Sequence, residues 1–500
     1  MTRQIAVALA ALAALIGATM AAENVVAAPV EPTAEFTEDV EVNSGTWYCA
    51  PLVREDETAT LSIASVGDEP SQISVERVMG GESSFEEPVD LQPKTTHELE
   101  ISGGAEIAAF VVRWRGGPAV ASWRVDSAEQ RLGTSCAQSP APAWVIPGAE
   151  TTVGSSARLY LFNPFDSDAV VRVAFATSEG RIDLVSSENV SVPAHEVVDV
   201  GINELQPEQS DLGILVEVEA GRVIASGLQR FGQADLTDVE LEGAELPTDP
   251  TAPEGRTTLP ARAVPSSRVG LAYAASGEAT TAWVSITNPN NRPASVTVAV
   301  SDAIEDSVIA EPVVVAPESV ERVDLTNVSS APDFGVTLTS TDDAPIAATG
   351  FIALTGERRR VTAMAAVPEA STMNAEAVAP ASSAAEIALY NPGQSAATAT
   401  VAVGGAAPDT WSSIDLEPGT MQLLPFAEAG VEDGGPVEAS ADQPIYATLR
   451  LSSDDNRSDR FLALPLIPAN VWQGSEDAPT PVRDRTLDTR PVDFPAEQGP

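Results

Sequence analysis

The chain has 500 residues, 43% of them hydrophobic, and carries 73 acidic against 27 basic side chains, a net charge of −46. That length allows three or four domains of ordinary size, and the apolar fraction is enough to give each a core. The charge excludes nucleic acid as a partner and disfavours docking on anionic lipid, because both would repel the chain.

At the N-terminus Arg3 precedes an apolar, charge-free run from Ile5 to Ala22. An alanine-rich run of this length ending in small residues reads as a secretory signal peptide, with a single uncleaved membrane anchor as the alternative. The expected location is therefore secreted, or anchored to the outer face of the cytoplasmic membrane. Residues 23–42 are acidic and read as a flexible leader. Folding is expected to begin near Gly45, just before Trp47-Tyr48-Cys49. The only other cysteine is Cys136. Two cysteines in an exported chain read as one structural disulfide, here spanning 87 residues. A metal pair is the poorer reading, since no histidine lies near either thiol in sequence.

A unit then recurs: ATLSIASVGDEPSQISV from Ala59, ARLYLFNPFDSDAVVRV from Ala157, AWVSITNPNNRPASVTV from Ala282 and AEIALYNPGQSAATATV from Ala385. Each copy is a short strand, an anchor residue, a polar turn and an alternating strand. The anchors Ser65, Asn163, Asn288 and Asn391 lie 98, 125 and 103 residues apart. A proline opening a later strand follows at Pro93, Pro193, Pro317 and Pro418, at 28, 30, 29 and 27 residues from the anchors. Asn-Pro after a strand is turn chemistry: proline cannot continue the ladder, and asparagine bonds its own backbone. A binding motif is the rarer reading of the same pair.

A period near 100 residues is the size of a small domain, not of a propeller blade or solenoid turn. The second copy contains about seven short, turn-bounded strands, from Arg158–Phe162 to Val223–Phe231. That is the pattern of an immunoglobulin-like sandwich. The expected fold is all-β: four tandem immunoglobulin-like β-sandwich domains at 43–147, 148–262, 263–368 and 369–470, with a disordered tail at 471–500. Trp144-Val-Ile-Pro147 reads as closing the first copy, and Ala366-Val-Pro368 and Leu466-Ile-Pro468 as related closings. Glu245–Arg262 and Glu369–Ser383, rich in Pro, Ala, Thr and Ser, read as extended linkers. The abundant alanine and the lone lysine, Lys94, read as genome composition and not as function.

Little in the chain announces chemistry. The two histidines, His97 and His195, sit after equivalent prolines of different copies, so they are not expected to share a site. No GxSxG, HExxH, P-loop or GxGxxG motif occurs. No catalytic, cofactor-binding or metal-binding residue is assigned, and no cofactor is expected. The best cation candidate is Ser453–Asp459, whose oxygens suit calcium, though a hairpin turn explains it as well. Asp302, Glu305, Asp306, Asp342 and Asp343 read the same way. Trp47, Trp114, Trp123 and Trp144 concentrate aromatic surface in the first copy, where core packing competes with a carbohydrate platform.

The Trp47-Tyr48-Cys49-x-Pro51 start, the leader and the repeated strand–Asn–turn units with a W-V-I-P segment resemble an actinobacterial family of secreted or membrane-anchored proteins of unknown function. The resemblance implies an envelope location and no catalytic residues. The expected protein is non-enzymatic, an envelope spacer or interaction scaffold whose partner is an unidentified envelope protein or glycan. A carbohydrate-binding or carbohydrate-processing protein and a calcium-stiffened adhesin are the alternatives.

Overall fold

The computed structural model describes residues 44–469, apart from 51–52, 54–56, 105–106, 127–130, 233–253, 305–310, 355–359, 369, 379–384, 432–433 and 453–460. The signal run, the leader and the tail lie outside the described residues. No helix among the described residues is long and apolar enough to cross a membrane.

The chain is nearly all β, and its ladders are antiparallel. Alternation builds the strands as the sequence suggests. In Ala169–Thr177, Val171, Val173 and Phe175 are fully buried, while Val170 and Arg172 between them are only half-buried. Sheets recur in each stretch that carries the repeat. In the second, one sheet orders Ala143–Ala149, Leu212–Ala220, Ala169–Thr177 and Gly180–Asp183, and the other orders Glu196–Gly201, Ser156–Asn163, Ile224–Phe231 and Gly255–Leu259. Their inner faces share one apolar core, as in a sandwich. In the fourth stretch the long strand Val437–Ser452 runs through both sheets and joins them.

Three expectations need correction. Trp144 does not close the first copy: its strand, Ala143–Ala149, pairs with Leu212–Ala220 and opens the second. The linker expected at Glu245–Arg262 contains the strand Gly255–Leu259, paired with Ile224–Phe231. The linker expected at Glu369–Ser383 contains Ser371–Glu376, paired with Val437–Ser452. Small residues and threonine suggested spacers, but they are the residues that fit where one stretch presses on another.

That packing is the main feature of the fold. The described residues form one compact unit, and the first apolar core runs from Val78 through Phe162 to Phe351. Late in each stretch comes an inner strand: Arg131–Ser135, Gly255–Leu259, Val361–Ala365 or Phe461–Pro465. Each of these four inner strands lies against the next, and the fourth lies against the first, so they close a ring. Buried threonines stitch it. Thr258 Oγ1 donates to Gly133 O at 3.0 Å, Thr257 Oγ1 accepts from Ala363 N at 2.8 Å, and Thr362 Oγ1 donates to Phe461 O at 2.8 Å. Between the fourth and first strands Gly133 makes room: a Cβ there would stand 3.1 Å from Leu462 Cδ2 and 2.4 Å from Trp123 O.

The repeat anchors hold each stretch from within. Asn163, Asn288 and Asn391 are fully buried. Each donates Nδ2 to the carbonyl four residues on, Ser167, Arg292 or Ser395, at 2.8 Å. Each also reaches across to Val192, Val315 or Leu416, and each Oδ1 accepts an amide two residues on. All side-chain polar atoms of the anchor are spent on backbone, which makes it a clip between two strands. In the first copy Ser65 Oγ accepts from Ser71 Oγ at 2.9 Å instead.

Candidate functional site: a cavity at the end of the ring

Past each inner strand the chain crosses to the other sheet and meets the opening strand of its own stretch. Ala137 bridges Tyr48, Arg262 bridges Val145, Val367–Pro368 pairs with Val269–Gly270, and Ile467–Pro468 pairs with Asn374–Ala375. These four crossings converge at one end of the ring. They enclose a cavity of about 420 Å³, within the range that holds a small organic ligand.

The walls are apolar for identifiable reasons. Trp47, Trp123 and Trp144 line the cavity and are themselves buried. The indole N–H of Trp47 donates to Ala119 O at 2.8 Å and that of Trp144 to Val223 O at 2.9 Å, so neither is free for a ligand. Pro260, Pro368, Pro465 and Pro468 add walls that offer no backbone donor. The disulfide between Cys49 and Cys136, with Cα atoms 4.7 Å apart, fixes the first crossing to its opening strand, and Cys136 lines the cavity.

Among the described residues one charged side chain lines the cavity, Arg262. It stands at the third position past its inner strand, where the third and fourth stretches have Pro368 and Pro468. It is only partly accessible, and burial pulls its guanidinium down to about 10, with no carboxylate among the described residues opposing the effect. Its backbone pairs with Val145, but among the described residues its side chain makes no hydrogen bond or ion pair, and its Nε is buried without a partner. The hydroxyl of Ser226, also in the lining, is buried and unpartnered too.

Just behind the wall stands Glu376, fully buried. Burial pushes its carboxyl up to about 7, against hydrogen bonds to Oε1 from Ala377 N at 2.9 Å and Val378 N at 3.4 Å. Ser135, which does line the cavity, donates to its Oε2 at 3.4 Å.

Of the residues singled out in the sequence, Trp47, Tyr48, Trp123, Trp144 and Cys136 come together at this cavity. Trp114 does not line it and packs instead over Gly45, where a Cβ would lie 2.6 Å from the indole. His97 pairs in register with Ile63 on the strand Thr96–Ser102, and His195 holds Asp166 Oδ1 at 2.7 Å in a turn of the second stretch. Ser453–Asp459, Glu305 and Asp306 lie outside the described residues. Asp342 accepts the hydroxyl of Ser340 at 2.6 Å, and Asp302 offers its carbonyl to Ser330. No group of three acidic, His or Cys residues able to hold a metal occurs among the described residues. Arg262 was missed because it fell in an expected linker. Its signal was a break of pattern: LPARAVP beside AMAAVP and ALPLIP, with a charge where the other copies carry none.

Residues 117–427 match the model of a family of unknown function (DUF5719), and the chain belongs to that family. The matched span takes in the second and third stretches, including Arg262. No curated protein matches the chain.

Proposed function

We propose that this member of the DUF5719 family is an exported, non-enzymatic protein of the cell envelope, acting as a spacer or interaction scaffold. The observation that carries the reading is the closed ring of inner strands, which makes a rigid body of a chain that could have been a flexible string. The apolar run Ile5–Ala22, the Cys49–Cys136 disulfide and the net charge of −46 support a solvated protein in an oxidising compartment. The carbohydrate alternative is less favoured, because Trp47, Trp123 and Trp144 are buried and the cavity lining among the described residues has no carboxylate to receive sugar hydroxyls.

The test is made in the cell that produces the protein. A membrane-impermeant biotinylating reagent should label it on intact cells, with both cysteines oxidised, and purified protein should leave ester, peptide and glycoside substrates untouched. Recovery from the cytosol with two titratable thiols would overturn the reading. So would hydrolysis abolished by one carboxylate substitution in a folded variant.

A further inference from the structure

We infer that the cavity at the end of the ring is a binding site for a small organic carboxylate with an apolar body, held at its charged end by Arg262. Three observations on independent footings converge here.

The first is chemical. In a chain with 73 acidic side chains, the one charge that lines the cavity among the described residues is a cation. Three other arginines at contacts between stretches or strands have carboxylate partners: Arg256 with Glu57, Arg181 with Glu217 and Glu318, Arg450 with Glu386. Arg262 has no such partner, although burying a guanidinium unpaired is costly. A planar, forked donor is the group that best receives a carboxylate through two parallel hydrogen bonds. The unpartnered Ser226 hydroxyl supplies a further donor in the same lining.

The second is shape. A half-open cavity of about 420 Å³ walled by tryptophan, proline, Ile224, Leu259 and Leu466 offers a ligand's body apolar contact area. Such walls favour an aliphatic or aromatic body over a polyhydroxylated one.

The third is the repeat itself. The four crossings are equivalent in the fold, so a purely structural role would be met by an uncharged residue in each. Gln138, Pro368 and Pro468 meet it at the third position past the inner strand; Arg262 alone adds a charge. A scaffold needs no such departure, whereas a ligand with one charged end does.

The test uses the full-length oxidised protein and two probes, cis-parinaric acid and its methyl ester, followed by probe fluorescence and by transfer from the cavity tryptophans. The acid should bind saturably with one site per chain, and the ester roughly tenfold or more weakly. Arg262→Gln should weaken the acid by a similar factor and leave the ester unchanged. Ser226→Phe, which fills the cavity and leaves the guanidinium in place, should abolish binding of both; near-ultraviolet circular dichroism verifies that each variant is folded. No saturable binding of the acid, equal affinity for acid and ester, indifference of the acid to Arg262→Gln, or binding that survives Ser226→Phe would each overturn the assignment. None of these outcomes depends on where the protein resides, so the site and the envelope reading fail separately.

Discussion

Lys94 Nζ lies 2.8 Å from Glu438 Oε2, joining two residues 344 apart in sequence and tying the first stretch of the chain to the fourth. The same ammonium donates to Val66 O at 2.8 Å and stands 3.6 Å from Asp68. Lysine occurs once in this protein, and it occurs where the ring must shut. Substitution Lys94→Met leaves Glu438 partly buried without its cation, and its Oε1 already has no hydrogen bond. We expect a loss of about 1–3 kcal/mol in urea unfolding. A double-mutant cycle with Glu438→Gln should show that most of the loss belongs to the pair; strictly additive effects would argue against it.

The asparagine clip makes a sharper claim. Asn288 donates to Arg292 O, Val315 O and Ala316 O and accepts from Asn290 N, all within 3.2 Å. Asn288→Ala should cost about 2–4 kcal/mol, since it strips partners from buried backbone groups. Asn288→Asp should cost as much, because it turns an acceptor toward three carbonyl oxygens. If either variant unfolds at the wild-type urea midpoint, the clip is not what holds the turn.

Contacts between stretches rest on glycine. Tyr390 and Tyr446 of the fourth stretch stack at 6.3 Å, and they press on Gly335 and Gly270 of the third. A Cβ on Gly335 would stand 2.3 Å from Tyr390 Cγ. Gly335→Ala should therefore cost about 1–3 kcal/mol by overpacking. Removing the obstacle in the double variant Gly335→Ala with Tyr390→Ala should cost less than the two single changes added together. Additivity in calorimetric melting would remove this contact from the account.

Stability should fall as pH rises from about 4.5 to 7.5. Burial raises Glu376 to about 7 and Asp211 to about 6, above the values near 4 of unfolded chains. The folded state then binds the proton more tightly, so the stabilisation is complete at low pH and is lost as pH climbs through the folded values. The effect is on the order of 3 kcal/mol for Glu376. Glu376→Gln keeps the acceptor for Ala377 N and Val378 N but cannot ionise. It should be more stable than wild type at pH 8 and show a flatter pH profile; an unchanged profile would assign the dependence elsewhere.

The disulfide closes a loop of 87 residues, for which the chain-entropy model gives about 4–5 kcal/mol as an upper bound. A tie confined to one stretch would, on loss, weaken that stretch alone. In the folded chain the core around Cys49 also contains Ala375, Ala377 and Ile467 of the fourth stretch. Cys49→Ala with Cys136→Ala should thus loosen both, and hydrogen exchange should rise in Ser371–Glu376 as well as in Ser44–Cys49. Exchange confined to the first stretch would mean that the ring transmits nothing.

The sequence by itself determined the local grammar: strands by alternation, turns by Asn-Pro, a repeat by three landmarks in register, and a covalent tie by cysteine count. These follow from the two-residue period of a strand and from which side chains can satisfy a turn, properties that reach only a few residues along the chain. What only the tertiary structure decided is which outward faces stay wet. In Ala169–Thr177 the alternation ends at Ala174 and Ala176, both fully buried, because Ala347 of the next stretch and the threonine of its anchor strand close over them and Gly213. Alanine and glycine carry no pattern in sequence, since burying so small a side chain takes a partner surface that approaches closely, and that surface lies more than a hundred residues away. Arg262 is the same case: a charge in a stretch read as linker came to line a cavity only when four crossings, spread from Cys136 to Pro468, met at one end of the ring.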